Sequence, residues 1–285
     1  MLKHRVFSAI CMTLFFGGLT ILDGWIDGSI TAGTEDDRAV RGSLLVVMVA
    51  AVLILAVMEF SRLAASKALT VFVPVCVGGA LLVATTWYWP QWFDIEPHVY
   101  LALVLSLFLM AVMWRQSRVQ GTDGVLGNAG INCLCVGYLG VLGAFILAIR
   151  IEMGLWEVLM LMFVVKCSDI GAYTLGKLFG KHKFSPRISP GKTWEGLGGA
   201  MLFATIVSLA FSAGFATMVW WKALVFGPVF AVIGQLGDLV ESMMKRDAQQ
   251  KDSSNRVPGF GGILDVIDSP LVAAPLGYLF FRFVA

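Results

Sequence analysis

The chain alternates nine apolar segments with short polar stretches. A helix of about 20 mainly apolar residues crosses a bilayer core of about 30 Å, and each segment approaches that length. The pattern therefore predicts an all-α integral membrane protein with about nine transmembrane helices. The predicted spans cover roughly residues 6–26, 43–60, 69–89, 98–114, 128–149, 153–176, 196–214, 218–240 and 267–284.

Composition and charge agree with a membrane protein. The chain has 58% hydrophobic and 14% charged residues, against about 25% charged residues in soluble domains. If the N-terminus is cytoplasmic and the spans alternate, fifteen of the 21 Lys and Arg residues lie on the cytoplasmic side and five outside. Lys166 falls within a span. The positive-inside rule favours this orientation, which predicts a C-terminus on the outer side.

Polar sequence is concentrated in the second part of the chain. Residues 1–120 are expected to hold the first four transmembrane helices, and residues 121–285 a catalytic transmembrane region. This region contains the two longest cytoplasmic connections, 177–195 and 241–266, which are rich in Gly, Pro and charge. Loops of this kind often carry function.

One helical face in the eighth span is polar. Asp238, Glu241, Ser242 and Lys245 are spaced i, i+3, i+4 and i+7, so they project from the same side of a helix. Ionisable side chains at such a position usually face a bundle interior or a wet cavity. The alternative is an ordinary cap of charges at the interfacial end of a helix.

A glycine-rich turn then leads into the last span. The sequence PGFGG precedes Asp265 and Asp268, which are three residues apart and share a helical face. Backbone N–H groups in such a turn can approach an anion. Aspartates would repel phosphate unless a divalent cation lay between them, and carboxylates with phosphate oxygens are how Mg²⁺ is usually held. The alternative is a helix start whose acids complement the helix dipole.

The second polar segment runs from Ser168 to Glu195. It places Asp169 in the cytoplasmic half of the sixth span and continues into a basic run, which is either functional or a positive-inside anchor. The sequence SPGKTWEG contains GKT but no P-loop, because Pro186 stands where the first glycine is required. Ser189, Lys192 and Thr193 remain candidates for phosphate contacts in another geometry.

Two long motifs carry a family resemblance. GDLVESMMKRDAQQKDSSNRVPGFGGILDVIDS resembles the C-terminal signature of the phosphatidate cytidylyltransferase (CDP-diacylglycerol synthase) family, and SDIGAYTLGKLFGKHKFSPRISPGKTWEG is similar to that family's second block. The resemblance implies a Mg²⁺-dependent enzyme of phospholipid biosynthesis that joins CTP to phosphatidate and releases pyrophosphate. It also implies a homodimer in the cell inner membrane with its site facing the cytoplasm. No nucleic-acid partner is expected.

The resemblance also implies roles for individual residues. Asp238 and Asp265 would be the main Mg²⁺ ligands, and Asp268 and Asp169 would complete the acidic site or hold a second cation. The catalytic set would be Asp238, Lys245, Arg246, Lys251, Asp252 and Asp265. Substrate phosphates and the nucleotide would be held by Ser189, Lys192, Thr193, Glu195, Ser242, Gly261 and Gly262, with Lys245, Arg246, Lys251 and Asp252.

Two positions depart from the family pattern. The family usually has PGHGG and LDRxDS, whereas this chain has Phe260 and Val266. Both aspartates of the motif are present, so the two departures are expected to affect the reaction rate and substrate binding more than metal binding. The alternatives are a CTP-dependent enzyme acting on a prenol or another lipid phosphate and, from a different class, a membrane transporter. A transporter predicts polar residues spread through the bundle, whereas here they gather at one end of three spans.

Overall fold

Apolar helices account for most of the chain in the computed structural model, which describes residues 2–30, 40–250, 253–254 and 261–285, with side chains from residue 14 onward. The helices are α1 (Leu2–Ile26), α2 (Ser43–Ala65), α3 (Val73–Ala84), α4 (Pro97–Val119), α5 (Val125–Val136), α6 (Leu142–Ala148), α7 (Leu155–Phe179), α8 (Trp194–Phe215), α9 (Trp220–Asp247) and α10 (Leu264–Phe283). α5 and α6 form one continuous helix, Val125–Met153, through π-helical turns at Gly137–Val141 and Ile149–Met153.

The membrane class predicted from the sequence is confirmed. Each of the nine apolar segments contains a helix, and within the described residues seven helices are long and apolar enough to cross a membrane. The third segment is the exception in length. Its helix, α3, has 12 residues and is therefore about 18 Å long, so the predicted span 69–89 was too long. Thr85 and Thr86 follow α3 and donate their hydroxyls to the carbonyl oxygens of Leu81 and Val83 in its last turn.

A small β-hairpin occupies the connection between α7 and α8. Strands β1 (Lys183–Ser185) and β2 (Ser189–Thr193) pair antiparallel, with Lys183 opposite Thr193. Thr193 then caps α8, since its Oγ1 accepts a hydrogen bond of 3.1 Å from Gly196 N. The hairpin was not predicted. It gives Ser189 and Lys192 a defined backbone at the helix ends.

Glycine contacts hold α7 and α8 together. A Cβ atom on Gly171 would lie 2.4 Å from the Gly199 carbonyl oxygen, and one on Gly199 would lie 2.5 Å from the Gly171 carbonyl oxygen. Small residues allow helix backbones to approach in this way where lipid provides no hydrophobic drive for association. The close packing fixes the two helices that carry Asp169 and the hairpin.

Two apolar clusters form the core, and α10 belongs to both. One cluster joins α2–α6 with Leu264 and Leu271 of α10. The other joins α7, α8 and α9 with Ala273, Ala274 and Phe281 of the same helix. The start of α10, which carries two of the predicted site aspartates, therefore lies where the amino-terminal helices meet α7–α9.

A cluster of buried charged residues lies at the end of the helix bundle opposite the predicted site residues. Arg150 is fully buried, donates from Nε to Asp23 at 2.9 Å and donates from Nη2 to Asp27. Asp23 also accepts hydrogen bonds from the backbone N–H groups of Leu44 and Leu45 at the start of α2. Paired buried charges of this kind are costly to separate. The cluster joins the ends of α1 and α6 to the beginning of α2.

Candidate active site

A cavity of about 590 Å³ lies between the amino-terminal helices and α7–α10. Its polar lining comes from the later halves of α7 and α9, from β2 and from the start of α10. Its apolar lining comes from the opposite halves of neighbouring helices, including Leu45, Val49 and Leu53 of α2 and Val158, Met162 and Phe163 of α7. The cavity is therefore polar at one end and apolar toward the Arg150 end.

Three carboxylates meet at the polar end. Asp238 and Glu241 of α9 and Asp268 of α10 each offer an oxygen, and these atoms all lie within 4.8 Å of one another. Glu241 is fully buried and Asp268 is 3% exposed. Among the described residues, neither Glu241 oxygen accepts a hydrogen bond of good geometry, although the Lys245 ammonium is 2.5 Å from Oε2. Buried carboxylates this close repel one another unless a proton or a cation lies between them, and three oxygen ligands of this kind suit a divalent cation.

Lys245 connects this cluster to the glycine-rich turn. Its ammonium pairs with Glu241 one turn earlier on α9 and donates to Asp265 at the start of α10. The other Asp265 oxygen accepts hydrogen bonds from Gly262 N at 2.6 Å and from Ser253 Oγ at 2.8 Å. Asp265 is thus held by donors in this conformation, while the three-carboxylate cluster contains Glu241 in its place. The role of Asp265 as a metal ligand stays a prediction.

The second polar segment reaches the same cavity. Lys192 of β2 places its Nζ 2.7 Å from Asp238 Oδ2 and donates to the Gln235 carbonyl oxygen at 2.7 Å. Gln235 in turn donates from its side-chain amide to Asp169 at 3.0 Å. Lys166 lies 3.7 Å from the other Asp169 oxygen and also lines the cavity. Acids and lysines therefore alternate along its polar wall.

The other predicted residues are placed as follows. The cavity is lined by Ser189, Thr193, Ser242, Arg246 and Val266, and Thr193 also caps α8. Glu195 accepts hydrogen bonds from the backbone and ring of His182 and is not among the described lining residues. Gly261 and Gly262 form the turn beside Asp265. Gly261 has a φ of 106°, a conformation that favours glycine. Lys251, Asp252 and Phe260 lie outside the described residues.

Sequence reasoning missed several residues of this site. Glu241 was recognised on the polar face but not among the metal ligands, and Lys166 and Gln235 were given no role. Glu59 of α2, which contacts the segment before α10, was also missed. For Glu59 and Lys166 a signal was available in the sequence, because each is an ionisable residue within an apolar span. Such residues are costly in lipid and usually have a functional role.

The fold and the site define a multi-span membrane protein with a cavity that is charged at one end and apolar at the other. Acidic groups suited to a divalent cation lie beside lysines that complement phosphate charge, and the same cavity continues into an apolar compartment. Such a pocket accommodates a ligand with a charged head and an apolar tail.

Comparison with known proteins identifies the family. The sequence model of the cytidylyltransferase family matches residues 39–284, and the chain belongs to this family. It is 33% identical over 219 residues to the phosphatidate cytidylyltransferase of Chlamydia pneumoniae, covering 72% of this chain and 71% of the relative. It is 41% identical over 151 residues to the enzyme of that name from Staphylococcus haemolyticus, covering 52% and 57%. The resemblance inferred from the two motifs is thereby confirmed.

Proposed function

We propose that this protein is a CTP:phosphatidate cytidylyltransferase, which forms CDP-diacylglycerol and pyrophosphate. The observation that carries the proposal is the single cavity that combines the three-carboxylate cluster and Lys192 with an apolar compartment. The names of the similar proteins, all phosphatidate cytidylyltransferases, support the same substrate pair.

The reaction is an in-line displacement at the α-phosphorus of CTP. A phosphate oxygen of phosphatidate, already anionic near neutral pH, forms the new P–O bond, and the bond to the β-phosphate oxygen breaks to release pyrophosphate. No strong general base is needed, so the main task of the protein is to position the phosphates and stabilise their charge. Lys192, Lys245 and Arg246 line the cavity and are proposed to stabilise the leaving pyrophosphate.

Mg²⁺ is the proposed cofactor. Asp238, Glu241 and Asp268 would hold it, with Asp265 and Asp169 as further ligands or as the site of a second cation. Bound there, Mg²⁺ would supply positive charge that offsets the negative charge of the substrate phosphates. The buried Glu241 oxygens without well-formed hydrogen bonds support this assignment.

The apolar compartment is proposed to receive the acyl chains of phosphatidate. Val49, Leu53 and Phe163 line it, so the chains would pass from bilayer hydrocarbon to a similarly apolar wall. The protein is proposed to lie in the cell inner membrane, with the charged end of the cavity facing the cytoplasm, where CTP is available. This orientation agrees with the excess of basic residues predicted on that side. A homodimer remains part of the proposal.

A lipid-acceptor assay tests the substrate assignment. The purified full chain in lipid nanodiscs receives labelled CTP with phosphatidate, a polyprenol or a polyprenyl phosphate, each with Mg²⁺ or EDTA. We expect labelled lipid only with phosphatidate and Mg²⁺. Label on the prenol acceptors alone would favour the alternative CTP-dependent enzyme. Ser106→Ala, an exposed change on α4, serves as the control variant and is expected to retain full activity.

A further inference from the structure

Glu59 is a buried acid in an otherwise apolar helix. It is fully buried near the end of α2, about 24 Å along that helix from its first residue, Ser43. Carboxylates in such positions are costly unless donors satisfy them. The hydrogen-bond partners of Glu59 therefore indicate why an acidic residue stands at this position.

Within the described part of the chain, the donors close to Glu59 come from the residues that precede and begin α10. Ser254 Oγ donates to Oε1 at 2.7 Å, while Ser253 Oγ, at 3.2 Å, and Leu264 N, at 3.0 Å, approach Oε2. Leu264 is the first residue of α10, and its N–H is one of the donors left without a partner inside a helix. Glu59 thus caps α10 from a helix far away in sequence.

Ser253 links Glu59 to the polar end of the cavity. Its hydroxyl lies between the two carboxylates, 3.2 Å from Glu59 Oε2 and 2.8 Å from Asp265 Oδ2, and its backbone N–H is 3.2 Å from the same Asp265 oxygen. Gly262 packs into this contact, since a Cβ atom there would lie 2.3 Å from Glu59 Oε2 and 2.0 Å from Ser253 Oγ. Position 262 therefore has no room for a side chain larger than that of glycine.

We propose that Glu59 is a positioning residue for the cytidylyl transfer. It acts through Ser253 and the amino end of α10 to hold Asp265 against Lys245, and so makes the amino-terminal helices part of the active-site framework. The inference rests on the proposed function. Glu59 is not among the described residues that line the cavity, so the role assigned to it is positioning and not contact with substrate.

A double-mutant cycle tests this proposal. Glu59→Ala and Ser253→Ala, singly and together, are assayed in nanodiscs for kcat and for the KM of CTP. Loss of such supporting contacts typically lowers activity by about 10- to 100-fold. We expect each single change to lower kcat with less than about a threefold change in KM, and the double variant to fall no further than Glu59→Ala. Fully multiplying effects would overturn the proposal.

A conservative variant separates positioning from general stability. Glu59→Gln keeps the side-chain volume and one acceptor oxygen for Leu264 N, so kcat should recover in part relative to Glu59→Ala. Hydrogen exchange of the full-length protein should show faster exchange at the Leu264 amide in Glu59→Ala, with helices α7 and α8 unchanged. If Glu59→Ala does not assemble, Glu59→Gln and Ser253→Ala carry the test, and unchanged kcat in both contradicts the proposal.

Asp23 supplies a matched control. It is also a buried carboxylate that caps a helix start from another helix, because it accepts from Leu44 N and Leu45 N of α2. Asp23→Asn is expected to lower thermal stability without changing the Leu264 exchange rate, and an equal loss of kcat in both variants would overturn the proposal. Absence of CTP turnover in the unmodified protein would instead contradict the proposed function, so the two failures are distinguishable.

Discussion

Lys192 and Asp238 form an ion pair with 2.7 Å between Nζ and Oδ2. Lys192 lies on β2 within the polar segment Ser168–Glu195, and Asp238 lies on α9 at the start of the polar helical face that ends at Lys245. Their contact joins the two segments into one wall of the cavity. Because one partner carries a positive charge and the other belongs to the three-carboxylate cluster, the pair brings a phosphate-binding group next to the proposed metal ligands.

Removing the Lys192 charge should impair catalysis. Lys192→Met is expected to lower kcat/KM for CTP by about 10²- to 10³-fold, the usual cost of losing one group that stabilises transition-state charge. Lys192→Arg, which keeps the charge, should recover part of the loss. Lys222→Met is the control, since Lys222 pairs with the terminal carbonyl of Ala285 away from the cavity. Equal effects at positions 192 and 222 would contradict the role of Lys192.

The acidic cluster predicts a specific metal dependence. Glu241→Gln and Asp268→Asn each remove one charged ligand from the cluster, so the Mg²⁺ concentration for half-maximal activity should rise at least about tenfold. Magnesium titrations of activity measure this directly. Glu152→Gln is the control, because Glu152 pairs with Tyr278 and Arg282 elsewhere. An unchanged magnesium requirement in both cluster variants would remove them from the metal site.

Helix packing predicts a graded effect at two neighbouring glycines. Gly199→Val should destabilise the protein by about 1–3 kcal/mol, because its side chain meets the Gly171 carbonyl and overpacks the α7–α8 contact. Gly198 has no atom within 4 Å of a built Cβ, so Gly198→Ala should be tolerated. Thermal unfolding in detergent compares the two variants. Equal unfolding temperatures would show that the backbone contact between α7 and α8 is not close.

The buried cluster at the other end predicts a pH dependence of stability. Burial raises the pKa of Asp27, but hydrogen bonds from Ser29 and the charge of Arg150 outweigh it, so the pKa lies below 3.8. A lowered pKa contributes stability above the unfolded value, and that contribution is lost as the pH falls through the folded value. Asp27→Asn should therefore be less stable than the unmodified protein near neutral pH.

Acid titration of unfolding measures the effect. The difference in unfolding temperature between the two proteins should shrink as the pH falls below about 4, where Asp27 of the unfolded chain begins to bind a proton while folded Asp27 stays ionised. A difference that is constant from neutral pH to pH 3 would show that ionised Asp27 is not the source of the stability. The control variant Ser106→Ala, at an exposed position on α4, should have the same unfolding temperature as the unmodified protein at every pH.

The sequence predicted the helices well because length and hydropathy determine which segments cross a bilayer. It overestimated the third segment, since apolar composition alone does not reveal that α3 ends at Ala84, before the end of the apolar run. It also missed the hairpin at Lys183–Thr193. A two-stranded hairpin of a few residues has too little alternating pattern to stand out beside long helices.

The sequence predicted those relationships in the site that depend on spacing within a single helix. Asp238, Glu241 and Lys245 share a helical face whatever the fold, and Asp265 and Asp268 likewise share one. Spacing cannot reveal which face of α9 meets α10, and so it did not show that Asp268 joins Glu241 while Asp265 pairs with Lys245. The contact from Glu59 depends on packing between distant helices, which no local pattern encodes.

The fate of the CTP phosphates tests the central claim most directly. Purified protein in nanodiscs containing phosphatidate is given CTP labelled at the α-phosphorus or, in parallel, at the γ-phosphorus, and lipid and aqueous products are separated. Cytidylyl transfer predicts that the α label enters the lipid and the γ label leaves as pyrophosphate, one per lipid product. Transfer of the γ label to lipid, or no α label in lipid, would contradict the account.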